Sequence, residues 1–278
     1  MGMQSFENMA FMATFVGYSA AIIFYVWYFA SRNESIGKLA TIVTALGWVT
    51  NTVALTIRTL NAGRLPLTNG YEFLLAFAWG IVLVYLWFQH RYRVKTVGAF
   101  VLPIAWILLA YVAVKIPIDQ RMVAPLMPAL KSNWLTVHVA TAIVAYGTFA
   151  LSFGLALMYL LKARYETGSE SKLSRLPAGE WLDELSYQAI MFGFLFLGLV
   201  IVTGAIWAEQ AWGSYWCWDP KETWSLITWL IYGAYLHARL VHGWRGRRAS
   251  WMALAGFAAV MFTFFGVNYL LPGLHSYA

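Results

Sequence analysis

Polar residues along this chain are confined to short intervals between long apolar runs. Eight such runs occur, at roughly 9–30, 38–57, 71–89, 96–114, 133–161, 187–207, 223–242 and 250–271. Each approaches or exceeds the ~20 residues that a helix needs to cross a hydrocarbon core. Lipid offers no partner for backbone N–H and C=O groups, so a spanning run must satisfy them within a helix. The pattern predicts an all-α, polytopic membrane protein of eight transmembrane helices, with residues 1–278 as a single integral membrane domain. The run at 38–57 reads as the weakest, because it contains Asn51 and several threonines.

Charge orders the loops. Segments 31–38, 90–95, 162–175 and 239–248 hold thirteen of the nineteen Lys and Arg residues. The alternate segments hold the other six: Arg58, Arg64, Lys115, Arg121, Lys131 and Lys221. Basic loops stay inside, so both termini are expected on the outer, periplasmic or lumenal, side. No Lys or Arg precedes the first run, and no small-residue cleavage site follows it, so it reads as a retained span. With 61% hydrophobic and 11% charged residues, the composition excludes a soluble domain. The net charge of +7 then describes topology rather than a nucleic-acid partner. A single cysteine, Cys217, excludes an internal disulfide and any CxxC centre; it is read as a small, semi-apolar filler.

Two outer segments carry helix-start grammar. In "WDPKE", Asp219 is a candidate N-cap, Pro220 the first helical residue, and Glu222 the N3 partner of a capping box. In "PLTNGYEFLL", Asn69 and Glu72 repeat the spacing. Between Trp207 and Trp224 lie five tryptophans, Trp207, Trp212, Trp216, Trp218 and Trp224, with Tyr215 among them. An interfacial aromatic belt accounts for any one of them. The apolar stretch 208–219 is too short to span, however, and irregular backbone at that depth should be covered by protein or line a cavity. Composition leaves open whether the rings form a belt or a slot for a large planar ligand.

Histidine placement favours the slot. His90 and His242 sit among arginines at inner helix ends and read as flanks. His138 lies five residues inside its helix, ~8 Å from the outer end, and His275 follows the last helix on the same side. Two imidazoles and an aromatic loop on one face suggest bis-histidine ligation of a porphyrin iron. His237 lies seventeen residues beyond Pro220, ~26 Å along the helix and near the inner side. An ionisable group at that depth marks a functional site. His237 has no evident partner on this chain, since His242 is expected to face elsewhere.

These residues closely resemble the haem-handling WWD superfamily, through Trp212-Gly213, Trp216, Trp218-Asp219, Lys221-Glu222 and Trp224. Within it the chain resembles the CcsA/ResC type of cytochrome c biogenesis protein (system II). The eight-helix layout, "LPLTNGYEFLL", "WLTVHV", "LDELSYQAIMFGF", "TGAIWA" and the terminal "GLHSYA" carry that likeness. The resemblance implies a subunit of a cytochrome c synthase that acts with a CcsB/ResB-type membrane partner. Haem b would cross the membrane and become attached, through thioether bonds, to the CxxCH motif of apocytochrome c. The resemblance further implies His138 and His275 as outer axial ligands around a WWD loop at about 207–224. His237 would belong to an inner haem site whose opposing ligand comes from the partner. Trp212, Trp216, Trp218 and Trp224 would pack the macrocycle, and Asp219 would fix the loop. Propionates need cations, and Arg58, Arg64, Arg121, Lys131 and Lys221 are the outer candidates. A thioredoxin-like thiol reductant would act indirectly. The expected location is a bacterial inner membrane or a thylakoid. An exporter or chaperone of the CcmC kind, presenting haem without ligation, is the principal alternative. A dihaem b-type electron carrier and a transporter without haem are more distant ones.

Overall fold

The computed structural model of the chain describes residues 2–165, 173, 176–271 and 273. It is all α-helical among these residues. The long helices are α1 (Met3–Ser31), α2 (Glu34–Ala62), α3 (Gly70–Tyr92), α4 (Gly98–Lys115), α5 (Asn133–Tyr165), α6 (Gly179–Trp212), α7 (Pro220–His242) and α8 (Arg247–Met261). α8 continues through a π-helical turn, Phe262–Gly266, into the short α9 (Val267–Leu270).

Among the described residues, seven segments are long and apolar enough to cross a membrane: α1, α2, α3, Lys95–Lys115, α5, α6 and Arg247–Gly266. The protein is therefore an integral membrane protein with multiple spans. α2 qualifies, against the expectation that 38–57 would be weakest. The helix that falls short in apolarity is α7. It has 23 residues, but Thr, Trp, Tyr, His237 and Arg239 interrupt its aliphatic positions.

Helix ends follow local chemistry. Asn33 and Asn69 accept hydrogen bonds from first-turn N–H groups, and Gly63, Gly213 and Gly243 close α2, α6 and α7 in the left-handed region. The chain forms two compact units, Met1–Leu126 and Met127–Ala278. In the first, α1 packs on α2 and α4, and α3 packs on the same two helices. Gly17 lets the α1 backbone approach that of α2, since a Cβ on it would lie 3.3 Å from Gly47 Cα. In the second, α5 packs on α6 and α8, and α7 packs on the same pair.

A buried lock closes one end of the second unit. Arg239 on α7 donates to Asp183 Oδ2 at 2.8 Å and to Glu184 Oε2 at 3.0 Å, both on α6. Asp183 Oδ1 accepts the Gly246 N–H at 2.9 Å, which fixes the turn between α7 and α8. The Arg239 guanidinium also lies 4.4 Å from the centre of the Tyr187 ring.

Candidate functional site

The site is built around the end of α6 and the start of α7. α6 runs helically through Trp207 to Trp212, and Gly213, at φ 75°, ends it. The irregular loop is therefore residues 213–219. This is shorter than the 207–224 expected, because a glycine in the left-handed conformation terminates the helix only after Trp212. Trp207 and Trp212 belong to α6, and Trp224 belongs to α7.

His138 on α5 faces α6. Its Nδ1 lies 2.9 Å from the carbonyl oxygen of Val200. A carbonyl only accepts, so Nδ1 carries the proton and Nε2 keeps the lone pair. Gly204 makes this approach possible, since a Cβ there would stand 2.8 Å from both Cε1 and Nδ1 of the ring. The imidazole stacks on Trp207, centroids 6.1 Å apart and planes 23° apart. Trp207 is 2% exposed, donates its indole N–H to the Ala129 carbonyl at 2.9 Å, and meets Trp212 edge-on at 5.0 Å. Ser132 bonds Gln210 at 2.8 Å, so the segment before α5 is held against the last turns of α6.

The loop itself is held from α7. Asp219 is 5% exposed, and it forms the expected capping box with Glu222. Asp219 Oδ1 accepts the Lys221 N–H at 2.9 Å. Glu222 Oε2 accepts from the backbone of Cys217 at 2.9 Å and of Asp219 at 3.2 Å. One carboxylate thereby ties down two backbone N–H groups of the loop. Trp218 adopts φ 59°, a conformation costly for a bulky residue, and its ring is 68% exposed. It meets Trp216 edge-on at 5.6 Å. Trp224 packs on Phe262 at 4.2 Å, the first residue of the π turn, and Thr263 Oγ1 reaches the Trp224 carbonyl at 3.3 Å. π turns often occur at functional positions, and nothing in the sequence pattern signalled this one. Cys217 is exposed. Partial desolvation, and then the charge of Glu222, hold its thiol above the ordinary cysteine range.

His275 lies outside the described residues. Gly273, two positions earlier, sits against Asp219: a Cβ on it would be 2.5 Å from Asp219 Oδ2. Gly273 thus lies at the cap of the tryptophan loop.

His237 is exposed on α7. Its ring meets His242 edge-on, with centroids 5.5 Å apart. This corrects the expectation that His242 faces elsewhere. Side chains tilt toward a helix's N-terminus, and His242, the last residue of α7, leans back toward His237.

Three of the cations considered for propionates are otherwise engaged. In the first unit Arg58 is fully buried, with its Nε 2.9 Å from Glu72 Oε1 and Nη1 3.6 Å from Glu7 Oε1. It also donates to the Arg121 and Met122 carbonyls. Arg64 pairs with Glu72 Oε2 at 2.9 Å. Arg121, 9% exposed, closes the end of α4 by donating to the Val112 and Ile116 carbonyls. Asn69 caps α3 as expected, accepting the Glu72 N–H at 2.9 Å, but the Glu72 carboxylate turns to the arginines and Thr68 instead of closing the box. Lys131 remains as an exposed cation, two residues after the carbonyl that holds Trp207.

Residues 67–275 match the family model described as cytochrome C assembly protein. The cytochrome c biogenesis protein CcsA of Guillardia theta is 39% identical over 251 residues, covering 84% of this chain and 83% of that protein. The CcsA of Porphyra purpurea is 36% identical over 315 residues, covering 100% and 99%. The CcsA of Synechocystis is 37% identical over 286 residues, covering 84% and 86%. The fold is similar to that of a solved structure named cytochrome c heme lyase CcmF, with a TM-score of 0.70 and 15% identity, over 95% of this chain and 47% of that one. This chain belongs to the cytochrome c assembly family, as a protein of the cytochrome c biogenesis CcsA type.

Proposed function

We propose that the chain carries haem b to the outer membrane face and holds it for covalent attachment to apocytochrome c, as a subunit of a CcsA/CcsB-type synthase. The observation that carries this reading is the orientation of His138. A ring whose Nδ1–H is spent on the Val200 carbonyl presents Nε2 as a ligand, which is the arrangement that histidine ligands of metals adopt. Trp207, buried behind the imidazole, backs the ring, and the exposed Trp218 on the loop that follows α6 offers flat aromatic surface suited to a porphyrin.

Haem is the substrate, and supplies two vinyl groups to which cysteine thiols add, each S–H bond giving its proton to the vinyl carbon while a C–S bond forms. The chain contributes placement. His138 and His275 ligate the iron from the α5 helix and the C-terminal tail. Trp212, Trp216, Trp218 and Trp224 pack the macrocycle, and the Asp219–Glu222 box keeps their loop from collapsing. Holding the vinyl edge where a CxxCH peptide arrives supplies a near-attack geometry, which can account for much of a bimolecular barrier. His237 serves an inner site completed by a CcsB/ResB-type partner, in keeping with its exposure. Lys131, exposed beside the segment that holds Trp207, offers a propionate a cation. A thioredoxin-like reductant keeps the acceptor thiols reduced. The location is a bacterial inner membrane or a thylakoid, with both termini outside.

Complementation tests the reading. In a strain lacking its own synthase, His138→Ala should abolish c-type cytochrome accumulation, and added imidazole should restore part of it. Normal maturation in His138→Ala would overturn the ligand assignment. Bound haem without any thioether product, in cells supplying apocytochrome and partner, would favour the exporter reading instead.

A further inference from the structure

The end of α7 holds a second group of residues suited to the same substrate, which the outer site does not use. His237 and His242 are both exposed, with rings 5.5 Å apart and 79° between their planes. Leu240 and Val241 stand three and four residues after His237, on the same helix surface, and are 69% and 64% exposed. Leu230 extends the stripe by two turns and is 54% exposed. Beyond Gly243 the turn bears Arg245, Arg247 and Arg248, all exposed. Arg239, by contrast, is buried in its pairs with Asp183 and Glu184, so the exposed arginines are a separate population.

Basic residues at an inner loop follow from topology, and apolar residues on a span follow from lipid. Neither requires two imidazoles edge to edge on the same surface. Together the surface offers nitrogen ligands, an apolar wall and guanidinium groups, matching the iron, the macrocycle and the carboxylates of one molecule.

We propose that His242 is an entry ligand for haem at the inner end of α7, from which the iron passes to His237 while Arg245, Arg247 and Arg248 hold the carboxylates. This rests on the reading of the chain as a haem-handling protein. The transfer is a ligand exchange: one Fe–N bond breaks at His242, another forms at His237, and no electron is gained or lost. The step is short, about one helical turn, and His242 already leans toward its neighbour. The lock between Arg239 and Asp183 fixes the turn that carries the arginines, so both ligands and cations stand on a rigid end of the unit.

The test uses the chain purified with its membrane partner in detergent, in a His138→Ala background that silences the outer site. Ferric haem is added in a stopped-flow instrument and the Soret band followed. The parent should show a fast rise and then a slower one. His242→Ala should slow acquisition about tenfold, the lower range for loss of a supporting group at a metal site, with the final spectrum retained. His237→Ala should keep the fast rise and lose the slow phase. Haem dimethyl ester, lacking free carboxylates, should bind the parent more slowly than haem. Unchanged kinetics in His242→Ala would overturn the relay, as would loss of both phases in His237→Ala. Equal rates for haem and its ester would remove the arginines from it. If the parent background acquires no histidine-ligated haem while the unmutated chain acquires it at the outer site, the inner site is refuted and the functional reading stands. If neither acquires it, both fall.

Discussion

Adding a single methyl group at Gly204 should separate haem ligation from folding. A Cβ at this position would lie 2.8 Å from two ring atoms of His138, closer than side chains tolerate, so in Gly204→Ala the imidazole must move. The movement pulls Nδ1 away from the Val200 carbonyl and releases the tautomer and angle that this bond fixes. Loss of such a supporting hydrogen bond costs about 10–100-fold in metal affinity, or about 1.4–2.7 kcal/mol. The helix responds in the opposite direction, because alanine in a helix interior is favoured over glycine by about 1 kcal/mol. Gly204→Ala should therefore unfold no earlier than the parent in detergent, followed by tryptophan fluorescence, while its affinity for ferric haem falls at least tenfold in a Soret titration. Because the effect acts through His138, the double variant with His138→Ala should bind no worse than His138→Ala alone. Affinity within twofold of the parent, in a protein of parental stability, would refute the claim that the Val200 bond orients a ligand.

Asp183→Ala strands the largely buried Arg239 guanidinium and the Gly246 N–H, and breaking a buried pair costs about 3–5 kcal/mol; with Glu184 still present the loss should fall at the lower end, measured as thermal unfolding in detergent, and an unchanged midpoint would show that the lock contributes nothing. At Cys217 the raised thiol pKa disfavours the thiolate, so alkylation at pH 8 should lag behind that of a free cysteine. Glu222→Gln keeps an oxygen acceptor for the cap, removes the charge 3.8 Å from the sulfur, and should speed that alkylation; a slower reaction would contradict the assigned cause.

What could be seen in the sequence was what local chemistry decides. The Asp219-Pro220-Lys221-Glu222 box is specified by four adjacent residues, and it forms as expected. Helix number followed from apolar run length, which the lipid solvent imposes on each segment separately. The α6 boundary was missed because tryptophan carries no helical period of its own, although Gly213 was a usable stop signal. Features set by distant segments were not legible. Arg58 and Arg121 looked like accessible cations, but Glu7, Glu72 and the carbonyls at the end of α4 claim them. The orientation of His138 depends on a glycine and a carbonyl from another helix. The His237–His242 contact was missed because spacing alone places them on different sides of an ideal helix, whereas side-chain tilt at the terminus of α7 brings the rings together.

The central claim, that His138 ligates haem beside the tryptophan loop, is tested most directly by an absorption spectrum. The chain would be purified with its partner from haem-replete membranes and measured oxidised and then dithionite-reduced, beside the His138→Ala/His275→Ala variant. The account predicts a Soret band with b-type reduced bands that diminish in the variant. A folded wild-type complex without haem, or one whose spectrum the double substitution leaves unchanged, would contradict it.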